Sequence, residues 1–203
     1  MPSSRESHML YTRSELETYQ YYKDVIEILK QDKIKSYIDI GANVGEFCNV
    51  LFEKIDTLKK AYLIEPQEDN FIFLQNNVKK QKVLFFQKAI GYNLVSPKIY
   101  SVDDNIGGFR LVPDSSIPGI EVEVATLEEL KFPKVDLIKL DIEGGEYNVI
   151  ENSTFLKTVK WIEVEFHDYY NIPTKEYIKK YLPKHTIRCI EDLEGRCLLE
   201  KIK

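Results

Sequence analysis

The sequence predicts an α/β protein: a Rossmann-like, doubly wound fold whose seven-stranded, mostly parallel sheet ends in an antiparallel hairpin. Three observations carry that reading. Apolar, β-prone runs alternate with helical patterns along most of the chain, as βα units do. One run, Tyr37-Ile38-Asp39-Ile40, passes through a turn with glycines four positions apart, Gly41-Ala42-Asn43-Val44-Gly45, straight into a helical pattern. The last two runs, 185–190 and 196–202, flank Glu191-Asp192-Leu193-Glu194-Gly195, a hairpin connection.

A chain of 203 residues has the length of one domain and enough interior for a core. Its net charge of −5 and pI of about 5.4 are opposite in sign to a nucleic-acid footprint and disfavour an anionic membrane surface. No apolar run has the length of a membrane span, and the N-terminus has no signal-peptide core. Cys48, Cys189 and Cys197 have no metal-ligand spacing and read as reduced core thiols of a cytoplasmic or other intracellular protein. Oligomeric state is not legible.

Residues 1–35 read as an N-terminal segment and 36–203 as the main domain. Ser7-His8-Met9 resembles a cloning remnant, so the first ten residues are given no structural weight. Ser14-Glu15-Leu16-Glu17 has the form of a capping box. Leu16, Tyr19, Tyr22, Ile26 and Leu29 follow at helical spacing. The expectation is an amphipathic helix of about four turns, packed on the domain. Tyr11, Tyr19 and Tyr21 keep a substrate-gripping arm as the alternative.

The main domain opens with a strand at 36–40, the glycine turn and a helix at 46–55 that aligns Phe47, Val50, Leu51 and Ile55. A strand at 61–64 ends in Glu65-Pro66. This acid lies about twenty residues past the turn, where a carboxylate accepts both ribose hydroxyls of a bound nucleoside. A helix at 67–78 and a strand at 83–86 follow, then Lys88-Ala89. Strands are expected at 98–102 and 120–125. The stretch 103–119 between them is either a hairpin excursion or a loop over the site. Thr126 N-caps a short helix. A strand at 135–142 leads through Glu143-Gly144-Gly145-Glu146 to a helix ending near 156. A strand at 161–167 and a helix at 173–181 precede the hairpin.

Two of these strands carry charges where a central strand should be apolar on both faces. Side chains alternate, so Lys139, Asp141 and Glu143 share one face if the strand stays extended, and Glu163, Glu165 and His167 share a face of the other. Buried charges are costly unless paired. The expectation is therefore adjacent strands with Lys139 paired to Glu163 or Glu165.

The glycine turn lacks both G-x-G-x-x-G and the Gly-Lys-Ser/Thr of a P-loop. Its D-x-G-x-x-x-G spacing is that of the S-adenosylmethionine loop in class I methyltransferases. D-I-G-A-N-V-G, I-E-P, I-K-L-D-I-E-G-G-E and V-E-F-H, in this order, resemble the FkbM-type methyltransferases over roughly residues 36–170. Gly145 stands where that family usually has Ala, and Lys88 departs from a common acidic preference. The resemblance implies a class I fold, S-adenosylmethionine as donor, and a hydroxyl of a sugar, glycan or natural product as acceptor. By carry-over, Asp39, Gly41, Asn43, Gly45 and Glu65 hold the cofactor, with the Ala89 backbone N–H available to adenine. Asp141, Glu143 and His167 line the acceptor side. His167 is the leading base, oriented by Glu165, with Asp141 as rival. A divalent metal on Asp141, Glu143 and His167 is the minority alternative, because a histidine ligand suits Mg²⁺ poorly. Two rival functions remain: a nicotinamide-dependent oxidoreductase, which the glycine spacing disfavours, and a non-catalytic nucleoside-binding domain of the same fold.

Overall fold

The computed structural model describes residues 4–80, 82–94, 97–101, 109–112, 119–167, 174–191 and 195–202. Two helices lead, α1 (Ser4–Thr18) and α2 (Gln20–Gln31). Next come β1 (Ser36–Ile40), α3 (Glu46–Lys54), β2 (Lys60–Ile64), α4 (Glu68–Asn77) and β3 (Val83–Phe86). Short strands follow: β4 (Ala89–Ile90), β5 (Lys98–Ser101), β6 (Phe109–Val112), β7 (Ile120–Glu121) and β8 (Val124–Ala125). The chain closes with β9 (Leu137–Leu140), α5 (Glu146–Asn152), β10 (Trp161–Glu165), α6 (Thr174–Tyr181), β11 (His185–Glu191) and β12 (Arg196–Lys201).

The main sheet has seven strands in the order β11-β12-β10-β9-β1-β2-β3. β10, β9, β1, β2 and β3 run parallel, and β12 joins β10 antiparallel through the final hairpin. The expected architecture and the expected adjacency of the two charged strands are both present. Two apolar layers cover the sheet. Ile38, Ile40, Ile138, Leu140, Ile162 and Val164 face one, with α5 and α6. Tyr37, Leu137 and Trp161 face the other, with α2 and α3. On that second face the next row across the sheet is charged. Register sets Asp39 beside Lys139 and Lys139 beside Glu163.

Several expectations change. The first ten residues are not inert, because α1 starts at Ser4 and places the supposed capping box in its last turn. Tyr19, with extended backbone (φ −70°, ψ 131°), separates α1 from α2. In α2 the predicted Tyr22 and Leu29 are buried, but Val25 takes the place expected for Ile26, which is half-buried. Within 103–119, β6 pairs antiparallel with β5, so this is a hairpin excursion; residues 103–108 and 113–118 lie outside the described residues. The strand predicted at 120–125 divides, β7 pairing with β5 and β8 with β4. After Thr126 there is one turn rather than a helix. Thr126 Oγ accepts from Glu129 N–H, but Lys131 at φ 50° reverses the backbone before Pro133. Pro173, expected to start α6, is outside the described residues.

Candidate active site

The carboxyl ends of β1, β2, β9 and β10 open into one cavity of about 340 Å³. That volume lies at the small end of the range for ligand sites. Gly41, Asn43, Gly45, Glu65, Ala89, Asp141, Glu143, Glu165 and His167 all line it. Asp39 does not. It is fully buried behind the wall, because strand alternation turns it to the α2 side with Lys139.

The glycine turn is lashed to the neighbouring strand. The N–H groups of Gly41 and Ala42 both donate to the Ile64 carbonyl at 3.0 Å. Gly41 has φ +85°, and a Cβ there would stand 1.8 Å from the Asp141 carbonyl oxygen. Glycine is thus required by the close approach of the backbone after β9, not only by a ligand. Asn43 also has positive φ, 48°. Its N–H donates to Glu65 at 2.9 Å, and Gln67 N–H donates to the other Glu65 oxygen at 2.9 Å. Burial pushes the Glu65 carboxyl up to about 7 against those two bonds. Each oxygen keeps a further lone pair for a ligand hydroxyl. Asn43 Oδ1 is buried and without a hydrogen-bond partner among the described residues. An acid with spare acceptors and an orphaned amide oxygen in a glycine turn fit a nucleoside-type cofactor. The Ala89 contribution needs correcting. Its N–H donates to Glu123 O at 2.8 Å in the pairing of β4 with β8, so it has no donor left for adenine. Lys88 is ion-paired with Glu123.

Across the cavity, Lys139 is the central cation. Its Nζ lies 2.8 Å from Asp141 and 3.8 Å from Asp39. The expected partners, Glu163 and Glu165, go elsewhere. Glu163 is opposite Lys139 in register, but the flexible lysine stem carries the ammonium along the strand to Asp141. Glu163 instead accepts from Tyr21 Oη at 3.1 Å. Burial raises it to about 8 despite the Lys139 charge. Glu165 is held by Arg196 at 2.9 Å. Burial would lift Asp141, but Lys139 and His167 bring it below the ordinary range. Burial raises Asp39 to about 6, with Lys139 opposing.

His167 is oriented by a residue the motif contained but whose role was missed. Glu146 opens α5 and is wholly buried. Its two oxygens accept the N–H groups of Ile142 at 2.8 Å and Gly144 at 2.9 Å, fixing a turn in which Glu143 has φ 57°. His167 Nδ1 lies 3.1 Å from the same carboxylate. Nε2 faces Glu143 at 3.4 Å and Glu165 at 3.9 Å. Glu165, the expected orienter, is thus the more distant acid. β9 ends at Leu140, so Glu143 reaches the cavity through the turn and not by strand alternation. Burial alone would depress His167, but the Glu146 bond and the charges of Glu146, Asp141 and Glu143 raise it to about 9.

Asp141, Glu146 and His167 bring potential metal-ligand atoms within 4.8 Å of one another, with Glu146 in place of the expected Glu143. The fit to a cation is poor, since the Glu146 oxygens already hold two backbone N–H groups and Asp141 holds Lys139. A wall that the sequence suggested only as the alternative of an arm is α1, which contributes His8, Tyr11, Thr12, Glu15 and Leu16; Tyr19 and Tyr21 are not among the lining residues. Among the described residues no helix is long and apolar enough to cross a membrane.

Fold and cavity together define a class I methyltransferase architecture. The model of the methyltransferase FkbM domain matches residues 39–189, and the chain belongs to that family. It is 24% identical over 152 residues to the hexuronic acid methyltransferase AglP of Haloferax volcanii, covering 71% of this chain and 62% of that one. Its fold is similar to the FkbM methyltransferase of Methylobacillus flagellatus, with TM-score 0.56, 17% identity, and coverage of 83% of this chain and 44% of that chain. The ribosomal protein L11 methylase of Lactobacillus delbrueckii subsp. bulgaricus shares it at TM-score 0.53 and 9% identity, over 90% of this chain and 80% of that one. The chain therefore spans less than two thirds of its curated relative and of the FkbM structure.

Proposed function

We propose that this chain transfers a methyl group from S-adenosylmethionine to a hydroxyl oxygen of a sugar, glycan or natural product. The observation that supports it best is one cavity walled by the glycine turn with Glu65 and, opposite, by Asp141, Glu143 and His167. The relative that acts on a hexuronic acid supports a carbohydrate acceptor. When bound, the cofactor supplies a methyl carbon already activated by a sulfonium, so the protein's work is positioning and proton removal. Glu65 and Asn43 hold the nucleoside side. Asp141 fixes the acceptor hydroxyl. His167 takes its proton: with Nδ1–H donated to Glu146, the neutral ring presents the Nε2 lone pair to the cavity. Lys139 keeps Asp141 ionised.

A base raised to about 9 is protonated at neutral pH, so the rate rises with pH through about 9 as His167 loses its proton. The experiment is labelled methyl transfer across that range. His167→Ala lowers the rate by about 10²–10⁴-fold and removes the limb. Glu146→Gln moves the limb to lower pH. EDTA leaves wild-type turnover unchanged, whereas its loss on chelation and return with Mg²⁺ would revive the metal alternative. Full activity in His167→Ala takes the histidine out of the reaction.

A further inference from the structure

α1 contributes a whole helix face to the cavity. His8, Tyr11, Thr12, Glu15 and Leu16 recur at the spacing of one side of a helix, and all of them line it. Only Leu16 is buried in the apolar layer. Polar anchors hold the rest. Arg13 donates to Glu46 and Glu53 of α3, and Arg5 to Asn70 and Asp69 of α4. His8 reaches the glycine turn itself, with Nε2 3.3 Å from Asn43 Nδ2. A helix tied by its arginines, with a ring, a hydroxyl and an imidazole turned to a cavity, is built as a wall for a ligand and not as a core helix.

Charge narrows the ligand. The lysines and arginine that line the cavity are Lys88, Lys139 and Arg196, and each is already ion-paired: with Glu123, with Asp141, and with Glu165, Glu191 and Glu15 of α1 itself. His167 stands within 3.9 Å of Glu143, Glu146 and Glu165. Burial keeps His8 below its ordinary pKa, although Asp141 opposes this, so it adds no cation at neutral pH. Around the acceptor side Asp141, Glu143, Glu146, Glu165, Glu191 and Glu15 outnumber Lys139, His167 and Arg196, so an acceptor carboxylate would enter an excess of acid with no uncommitted cation among these lining groups. Like charges so juxtaposed disfavour binding.

We propose that α1 is the acceptor-selecting wall of this site, and that its His8-Tyr11-Thr12 face, lining the same cavity as the acids, admits an uncharged or amine-bearing sugar and rejects a uronic acid. The proposal rests on the methyl-transfer reading above. It also separates this chain from a relative named for a hexuronic acid.

The test offers S-adenosylmethionine with methyl glucoside, its 2-amino-2-deoxy analogue and its uronic acid analogue, following labelled methyl uptake. Calorimetry with S-adenosylhomocysteine runs in parallel. The first two sugars are expected to be labelled with kcat/KM at least about 100-fold above the uronate. Tyr11→Ala and Thr12→Val each raise acceptor KM about tenfold, with kcat and S-adenosylhomocysteine affinity held within about twofold. A uronate labelled as well as the others overturns the charge selection. Unchanged KM in both variants overturns the role of α1. Labelling of none of the three, with S-adenosylhomocysteine still bound, overturns the acceptor class and leaves the cofactor reading standing. No binding of S-adenosylhomocysteine by wild type overturns the methyl-transfer reading itself.

Discussion

The two halves of the cavity use the same architecture, carboxylates at strand ends, and stabilise them in opposite ways. Beside β1 and β2, Glu65 is held by two backbone N–H groups and, among the described residues, by no ion pair. Beside β9 and β10, every acid but one is tied to a side-chain partner in another segment or two residues away: Asp141 to Lys139, Glu165 to Arg196, Glu143 to His167. The exception, Glu146, combines both modes, holding its own turn and His167 together. Backbone donors fix a carboxylate in place without neutralising it, so the first half keeps acceptor capacity for a ligand. Cations neutralise, so the second half tolerates several acids around the proposed base, His167.

The largest single loss is expected from removing the cation. Lys139→Met leaves Asp141, and behind it Asp39, without the charge that holds them ionised. It is expected to cost about 3–5 kcal/mol, the scale for breaking a buried ion pair. Urea unfolding at neutral pH measures it. A loss under about 1 kcal/mol would place Lys139 with ordinary surface pairs and erase the difference between the halves.

A smaller effect belongs to the other half. Glu65→Ala removes an acceptor without stranding a counter-charge. The Asn43 and Gln67 N–H groups lose their acceptor, so folding stability falls by about 1–3 kcal/mol and S-adenosylhomocysteine affinity weakens by a similar amount, the scale of an unmatched hydrogen-bond partner. Calorimetry on the folded variant reads it directly, and an unchanged affinity would remove Glu65 from the cofactor site.

The smallest effect is a pH dependence. Glu65 sits at about 7 in the free protein because it is buried. Ligand hydroxyls donating to it favour the ionised form, so binding releases a proton. Affinity therefore falls as pH drops through about 7, and the calorimetric heat differs between buffers of unlike ionisation enthalpy. The free protein responds the other way. Asp39 and Glu65 bind protons more tightly folded than unfolded, so their contribution to stability grows as pH falls below about 6 to 7. Affinity flat from pH 5 to 8 would show that Glu65 does not carry the cofactor.

Sequence by itself determined the order of the main-sheet strands and of the helices between them, the glycine turn, the acid after β2 and the acidic run after β9. These are local facts. Strand and helix periods, Gly at positive φ and an acid at a fixed offset are written in consecutive residues, and the parallel sheet follows from the βα alternation. Tertiary structure decided which groups meet. Lys139 was expected to pair with Glu163 or Glu165, and only the three-strand register with the reach of its stem chose Asp141 and Asp39 instead. Ala89 kept its place in the wall but lost its N–H to Glu123, a pairing set 34 positions away in β8's approach. Glu146 was visible as part of a motif, yet its hold on His167 joins α5 to the end of β10 and has no sequence signature. α1 was the least legible. Its one buried apolar residue gives no amphipathic signal, and its arginines find α3 and α4 only after the sheet has brought those helices alongside. Local conformation is fixed by neighbours in the chain, whereas charges choose partners by distance in space, which no residue spacing specifies.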